Sequence, residues 1–177
     1  MTFRDWARET KQRYRNQSIG QATKESVRDF YVGGLRNLGQ RVNYGTSIWA
    51  EDWDVMLILD ACRYDVFESQ YANEAFIDSL SPKYSVASHS IEFMQKTFSE
   101  RWENETQDTV YVCGNPFSEE YISGNRFQRL EEVWRYGWDE QKGIIPPEPL
   151  SDVGIRLYRE ESPDRMIIHY MQPHCPY

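Results

Sequence analysis

The apolar positions of this chain follow two different spacings. Val55-Met56-Leu57-Ile58-Leu59 is an unbroken apolar run between Asp54 and Asp60. It is too short to cross a membrane and too uniform for a half-exposed strand, so it predicts a parallel strand covered on both faces. Residues 109–113, TVYVC, are β-branched and aromatic and end at Gly114-Asn115-Pro116, which predicts a second strand. Met166-Ile167-Ile168, after a turn at Asp164-Arg165, predicts a third. Elsewhere the spacing is helical. From Thr23 onward Val27, Phe30, Tyr31, Leu35 and Leu38 recur at helical intervals broken by Gly33-Gly34, predicting a kinked or split helix. A helix through Arg63, Val66 and Phe67 follows the first strand, and residues 81–88 read as a strand or extended loop. Ile91, Met94, Phe98 and Trp102 then share one helical face. Residues 126–136 predict a helix ended by Gly137, Pro146-Pro147 blocks continuation, and Ser151-Asp152 opens a helix through Val153, Leu157 and Tyr158.

Strands alternating with helices predict an α/β chain with a mostly parallel sheet flanked by helices, and no internal repeat is seen. Turn chemistry at Asn43-Tyr44-Gly45-Thr46 separates a helical N-terminal arm, residues 1–45, from an α/β domain, residues 46–177. Arg4, Arg8, Lys11, Arg13 and Arg15 surround Trp6 and Tyr14 in the arm, which reads as a surface helix in preference to one lying on a membrane.

Composition narrows the function classes. An apolar content of 40%, with 12 Tyr and 6 Trp, argues for a folded chain. With 20 basic against 28 acidic residues the net charge is −8, which weighs against a nucleic-acid partner. Cys62, Cys113 and Cys175 are far apart, with no C-x-x-C, so neither a disulfide framework nor a zinc knuckle is indicated. No signal-like apolar segment and no membrane-spanning run occurs, so the expected location is cytoplasmic.

Two places suggest chemistry. Ligands in open α/β sheets sit outside the carboxyl ends of the strands, where Asp60 ends the first apolar run. Asp60 reads equally well as the cap of the following helix. His89 or Ser90 falls near the start of a second helix, where backbone N–H groups and the dipole favour an anion.

An apolar strand followed by Asp60-Ala61-Cys62-Arg63-Tyr64-Asp65, with His169-Tyr170-Met171-Gln172-Pro173-His174-Cys175-Pro176-Tyr177 farther along, resembles the sulfatase-like branch of the alkaline phosphatase superfamily. The segments NYGTSIWAEDWD, TVYVCGNPF and VWRYGWDE look like sulfatase-like proteins common in haloarchaea, and the resemblance covers residues 40 to 177. It implies an alkaline phosphatase-like fold, a divalent metal ion (Ca, Mg, Mn or Zn), and an anionic phosphate or sulfate ester as substrate. The implied function is a metal-dependent phospho- or sulfo-ester hydrolase or transferase. The alternative is a non-catalytic interaction protein that binds through its aromatic-rich surface. Family members continue with an Asp-His pair and a further His that complete the metal site, so this chain is expected to be an N-terminal portion, truncated at the C-terminus.

Residue by residue, Asp60 matches the first metal ligand. Ser85-Val86-Ala87-Ser88-His89 compares with the nucleophile pattern C/S/T-x-P/A-S-R/H, placing Ser85 on the nucleophile and Ser88 and His89 on substrate-binding positions. Ser88 and Ser90 remain alternative nucleophiles, and Ser85 also reads as an ordinary exposed strand residue. No cysteine has the C-x-P/A-x-R context of formylglycine, and His89 stands where the serine-type pattern has Arg, so a plain serine nucleophile for phosphate-type esters fits best. His174 aligns with the histidine that contacts phosphoryl or sulfuryl oxygens, as donor or general acid. His169 reads as a core histidine at a strand end. Arg63 either neutralises an anionic oxygen or pairs with Asp65 or Glu68 on its own helix. Because nine residues follow Ile168, its strand is expected to lack a covering layer, so that the chain is marginally stable, self-associates or requires a partner that supplies the layer.

Overall fold

The computed structural model describes residues 7–8, 10–12, 14, 19–41 and 44–173. The chain forms two compact units, residues 1–44 and 45–177. In the first, α1 (Ile19–Arg41) is one continuous helix that runs through Gly33-Gly34, so the helix is not split there. Glycine weakens a helix by about 1 kcal/mol but keeps its N–H, so the hydrogen-bond ladder continues where proline would break it. Val27, Phe30, Tyr31 and Leu35 are exposed on α1. Arg4, Trp6, Arg13 and Arg15 of the expected arm helix lie outside the described residues.

The second unit is α/β. Its strands, β1 (Val55–Leu59), β2 (Thr109–Cys113), β3 (Arg129–Glu132) and β4 (Arg165–Tyr170), make one four-stranded sheet in the order β1-β4-β2-β3, with every pairing parallel. Leu57 and Val112 both stand level with Ile168, so these three share a face. On that face Val110, Val112, Met166 and Ile168 pack under α7 (Pro147–Glu161) through Leu150, Val153 and Leu157. Gly154 permits the close approach, since a Cβ there would lie 2.4 Å from Ile168 Cδ1. On the other face Tyr111, Cys113 and Ile167 pack against Trp49, Phe127, and Met94 and Phe98 from α3 (Ser90–Thr97) and its end. The helix after β1 is α2 (Tyr64–Tyr71), as the spacing of Val66 and Phe67 predicts. Short turns α4 (Glu103–Gln107), α5 (Ser118–Tyr121) and α6 (Trp134–Gly137) complete the unit.

Several expectations are corrected. β1 is not covered on both faces: Val55, Leu57 and Leu59 are exposed, Leu57 at 56%. β4 is the interior strand, paired on both sides, and Met166, Ile167 and Ile168 are buried. The uncovered apolar surface thus belongs to β1 at the sheet edge. Residues 129–132 are a strand, not a helix. Arg129 and Glu131 point one way and Leu130 the other, and backbone pairing with β2 outweighs helical propensity. α7 opens at Pro147 instead of Ser151, because proline at the first helical position sacrifices no hydrogen bond. Residues 81–88 form an extended loop without strand pairing.

Candidate functional site

The carboxyl ends of β1, β2 and β4 meet at Asp60. The Asp60 N–H donates to Tyr170 O at 3.1 Å, prolonging the ladder by one residue. The chain then turns sharply, with Cys62 N–H on Leu59 O at 3.1 Å and Ala61 at φ +60°. This left-handed conformation is costly for a residue with a Cβ. The turn sends α2 away and leaves the Asp60 side chain at the sheet edge.

Asp60 Oδ2 accepts two hydrogen bonds, from Ser90 Oγ at 2.8 Å and from Asn115 Nδ2 at 3.0 Å. Ser90 is the first residue of α3, so its hydroxyl sits where the helix dipole favours negative charge. Asn115 is fully buried just past β2, and its Oδ1 accepts the Phe117 N–H at 3.0 Å, which fixes the amide's orientation. Behind the carboxylate, His169 Nε2 lies 3.9 Å from Oδ2, and His169 Nδ1 lies 2.8 Å from the Tyr111 hydroxyl. His169 is 1% exposed, and burial pushes its pKa down to about 4 against the pull of the Asp60 carboxylate. It is therefore a neutral imidazole at pH 7. Burial holds Tyr111 well above its ordinary value and pushes the Cys113 thiol up to about 11, so Cys113 is an inert thiol.

The loop before α3 is tied to the helix. His89 caps it, its Nδ1 accepting the Glu92 N–H at 3.3 Å. Glu92 is buried, pairs with Lys96 at 2.8 Å and accepts the Ser88 N–H at 3.5 Å. Burial pushes the Glu92 carboxyl up, but the Lys96 ammonium and the Ser88 N–H outweigh it and leave the group below its ordinary value. Lys96 also donates to Val86 O at 3.0 Å.

Of the residues singled out in the sequence, the structure brings Asp60 and Ser90 together, with His169 behind them. Ser85 is exposed, and its Oγ accepts the Ala87 N–H at 3.3 Å. Its backbone lies so close to Gly45 that a Cβ there would be 2.1 Å from Ser85 O. Ser88 and His89 are exposed, their described hydrogen bonds serving the helix start. Arg63 grips both oxygens of Asp65 at 3.0 and 2.6 Å while 75% exposed, the local pairing with its own helix. His174 lies outside the described residues. Asn115 and Tyr111 escaped notice in the sequence, where they read as a turn residue and a strand aromatic. The one available signal for Asn115 was its place just past the end of an apolar strand.

A divalent cation needs several ligands in fixed geometry. Among the described residues no group of three His, Cys, Asp or Glu side chains is placed to hold one. Asp60 Oδ1 has no hydrogen-bond partner among them, so the site fits a cation as one contributor and not as a complete cage.

Fold and site together define a parallel α/β protein with a serine–carboxylate pair at the carboxyl edge of its sheet. Compared with family models, with curated proteins and with solved structures, the chain matches none.

Proposed function

We propose that this chain carries the nucleophile side of a metal-dependent phospho- or sulfo-ester hydrolase or transferase of the sulfatase-like kind, with Ser90 as nucleophile and Asp60 as its proton acceptor. The observation that carries the reading is the 2.8 Å hydrogen bond from Ser90 Oγ to Asp60 Oδ2 at the carboxyl edge of a parallel sheet. The resemblance of residues 40 to 177 to that family supports it. Ser90 Oγ attacks phosphorus or sulfur as its proton passes to Asp60 Oδ2, the ester bond breaks, and the alcohol departs. The start of α3 faces the negative charge that gathers on the non-bridging oxygens. His174, matched by resemblance, is the candidate donor to the leaving oxygen. A divalent cation bound at Asp60 Oδ1, with ligands from outside the described residues, would polarise the ester.

Hydrolysis of p-nitrophenyl phosphate and p-nitrophenyl sulfate, assayed with Mn²⁺, Zn²⁺, Mg²⁺ and Ca²⁺ in turn, tests the reading. Ser90→Ala is expected to lower any rate by at least about a thousandfold and Ser85→Ala to leave it unchanged. The reverse pattern would overturn the assignment.

A second reading, an interaction protein without catalysis, is favoured by the uncovered apolar face of β1. Sedimentation velocity distinguishes it. A concentration-dependent mass that Leu57→Lys abolishes, in a chain without esterase activity, would favour this reading.

A further inference from the structure

Cys113, Tyr111 and His169 run in a line beneath Asp60, all of them buried. Cys113 Sγ lies 3.3 Å from the Tyr111 hydroxyl, which lies 2.8 Å from His169 Nδ1. The other ring nitrogen, Nε2, is 3.9 Å from Asp60 Oδ2. A neutral imidazole carries one proton, and the neighbours of a buried ring decide which nitrogen holds it. Two arguments choose Nε2. The Tyr111 O–H has two acceptors in reach, Cys113 Sγ at 3.3 Å and His169 Nδ1 at 2.8 Å, and a bare imidazole nitrogen is the nearer and the stronger, whereas the Cys113 S–H can turn to the Tyr111 oxygen or to the Asn115 carbonyl at 3.4 Å. In addition, a carboxylate oxygen attracts an N–H and repels a ring lone pair, which places the proton on the side of Asp60.

We propose that Tyr111 is a positioning residue that holds His169 as the Nε2–H tautomer, so that this N–H backs Asp60 Oδ2. Ser90 and Asn115 donate hydrogen bonds to Oδ2, the Nε2–H adds an electrostatic contact to the same oxygen from 3.9 Å, and Oδ1 has no hydrogen-bond partner among the described residues. The use of this arrangement rests on the Asp60–Ser90 reading above, whereas the tautomer itself does not.

The chain has three histidines, so a long-range ¹H–¹⁵N spectrum of the full chain at pH 7 is simple, and His89→Gln and His174→Gln assign it. The expected result is a His169 ring protonated at Nε2 with a bare, hydrogen-bonded Nδ1. Tyr111→Phe keeps the ring shape and leaves only the pull of Asp60 across 3.9 Å, so the two nitrogen shifts should move toward each other as the tautomers mix. Asp60→Asn removes the carboxylate and keeps Tyr111, and Nε2–H should persist there. A proton on Nδ1 in the wild-type chain, an unchanged spectrum in Tyr111→Phe, or loss of Nε2–H in Asp60→Asn would each overturn the assignment. Absence of esterase activity with the Nε2–H tautomer in place would instead count against the proposed function alone.

Discussion

β1 and β4 are neighbours in the sheet, parallel and in register, and both are built around apolar runs, VMLIL and MII. Their burial differs sharply. β4 is flanked by β1 and β2 and covered by α7 on one face and the aromatic cluster around Tyr111 and Phe98 on the other. Among the described residues β1 has a single strand partner and keeps only Met56 and Ile58 against the aromatic cluster, while Val55, Leu57 and Leu59 are exposed. An apolar run therefore reports that a strand forms, while the helices and the sheet order decide how much of it is covered. The polar residues differ in parallel: His169 on β4 is sealed in the interior, whereas Asp60 just past β1 keeps a side chain that is 13% exposed.

The sharpest test of that contrast is truncation in the interior strand. Ile167→Ala should cost about 4 kcal/mol in urea unfolding, the usual loss for a fully buried aliphatic side chain, while Leu57→Ala costs under about 1 kcal/mol. Equal losses at the two positions would mean that β1 is covered after all.

Next in size is the response to acid. His169 has a folded pKa of about 4 against an ordinary 6.5, so the unfolded chain binds the extra proton first as pH falls. This contribution is fully present above pH 6.5 and is lost as pH drops toward 4, by on the order of 3 kcal/mol. Stability curves of the wild-type chain and His169→Gln between those limits should differ in slope, the wild type falling more steeply with acid than the variant.

Smaller again is the turn after β1. Ala61→Gly relieves the φ of +60° and should stabilise the chain by about 1 kcal/mol, read as a shift in urea midpoint. A loss would show that the Ala61 methyl group makes contacts worth more than the strain. Least of all, Leu57→Lys on the uncovered face should change the stability of the monomer by no more than about 0.5 kcal/mol.

What the sequence disclosed and what it hid follow from the range of the interactions involved. β1, β2 and β4 were legible because consecutive apolar and β-branched residues favour strands locally, and the alternation with helices implied a parallel sheet. β3 was not. Only Leu130 of Arg129–Glu132 is apolar, since an edge strand spends its other positions on ion pairs such as Arg129 with Glu131 and Glu161. At the site, Asp60 was legible from its place at a strand end. The hydrogen bond of Ser90 to Asp60 was not, because it joins residues 30 apart, and the Asn115 contact spans 55. Contacts of that span are fixed by strand order, which no local pattern in this chain encodes.

The pairing of Ser90 with Asp60 is the claim on which the functional reading stands, and covalent labelling tests it most directly. A fluorophosphonate reagent transfers its phosphoryl group to an activated serine oxygen with loss of fluoride, and peptide mapping locates the adduct. The account predicts a single adduct on Ser90, slowed at least about a hundredfold in Asp60→Asn. An adduct on Ser85 or Ser88 with Ser90 untouched, or labelling of Ser90 indifferent to Asp60, would contradict it.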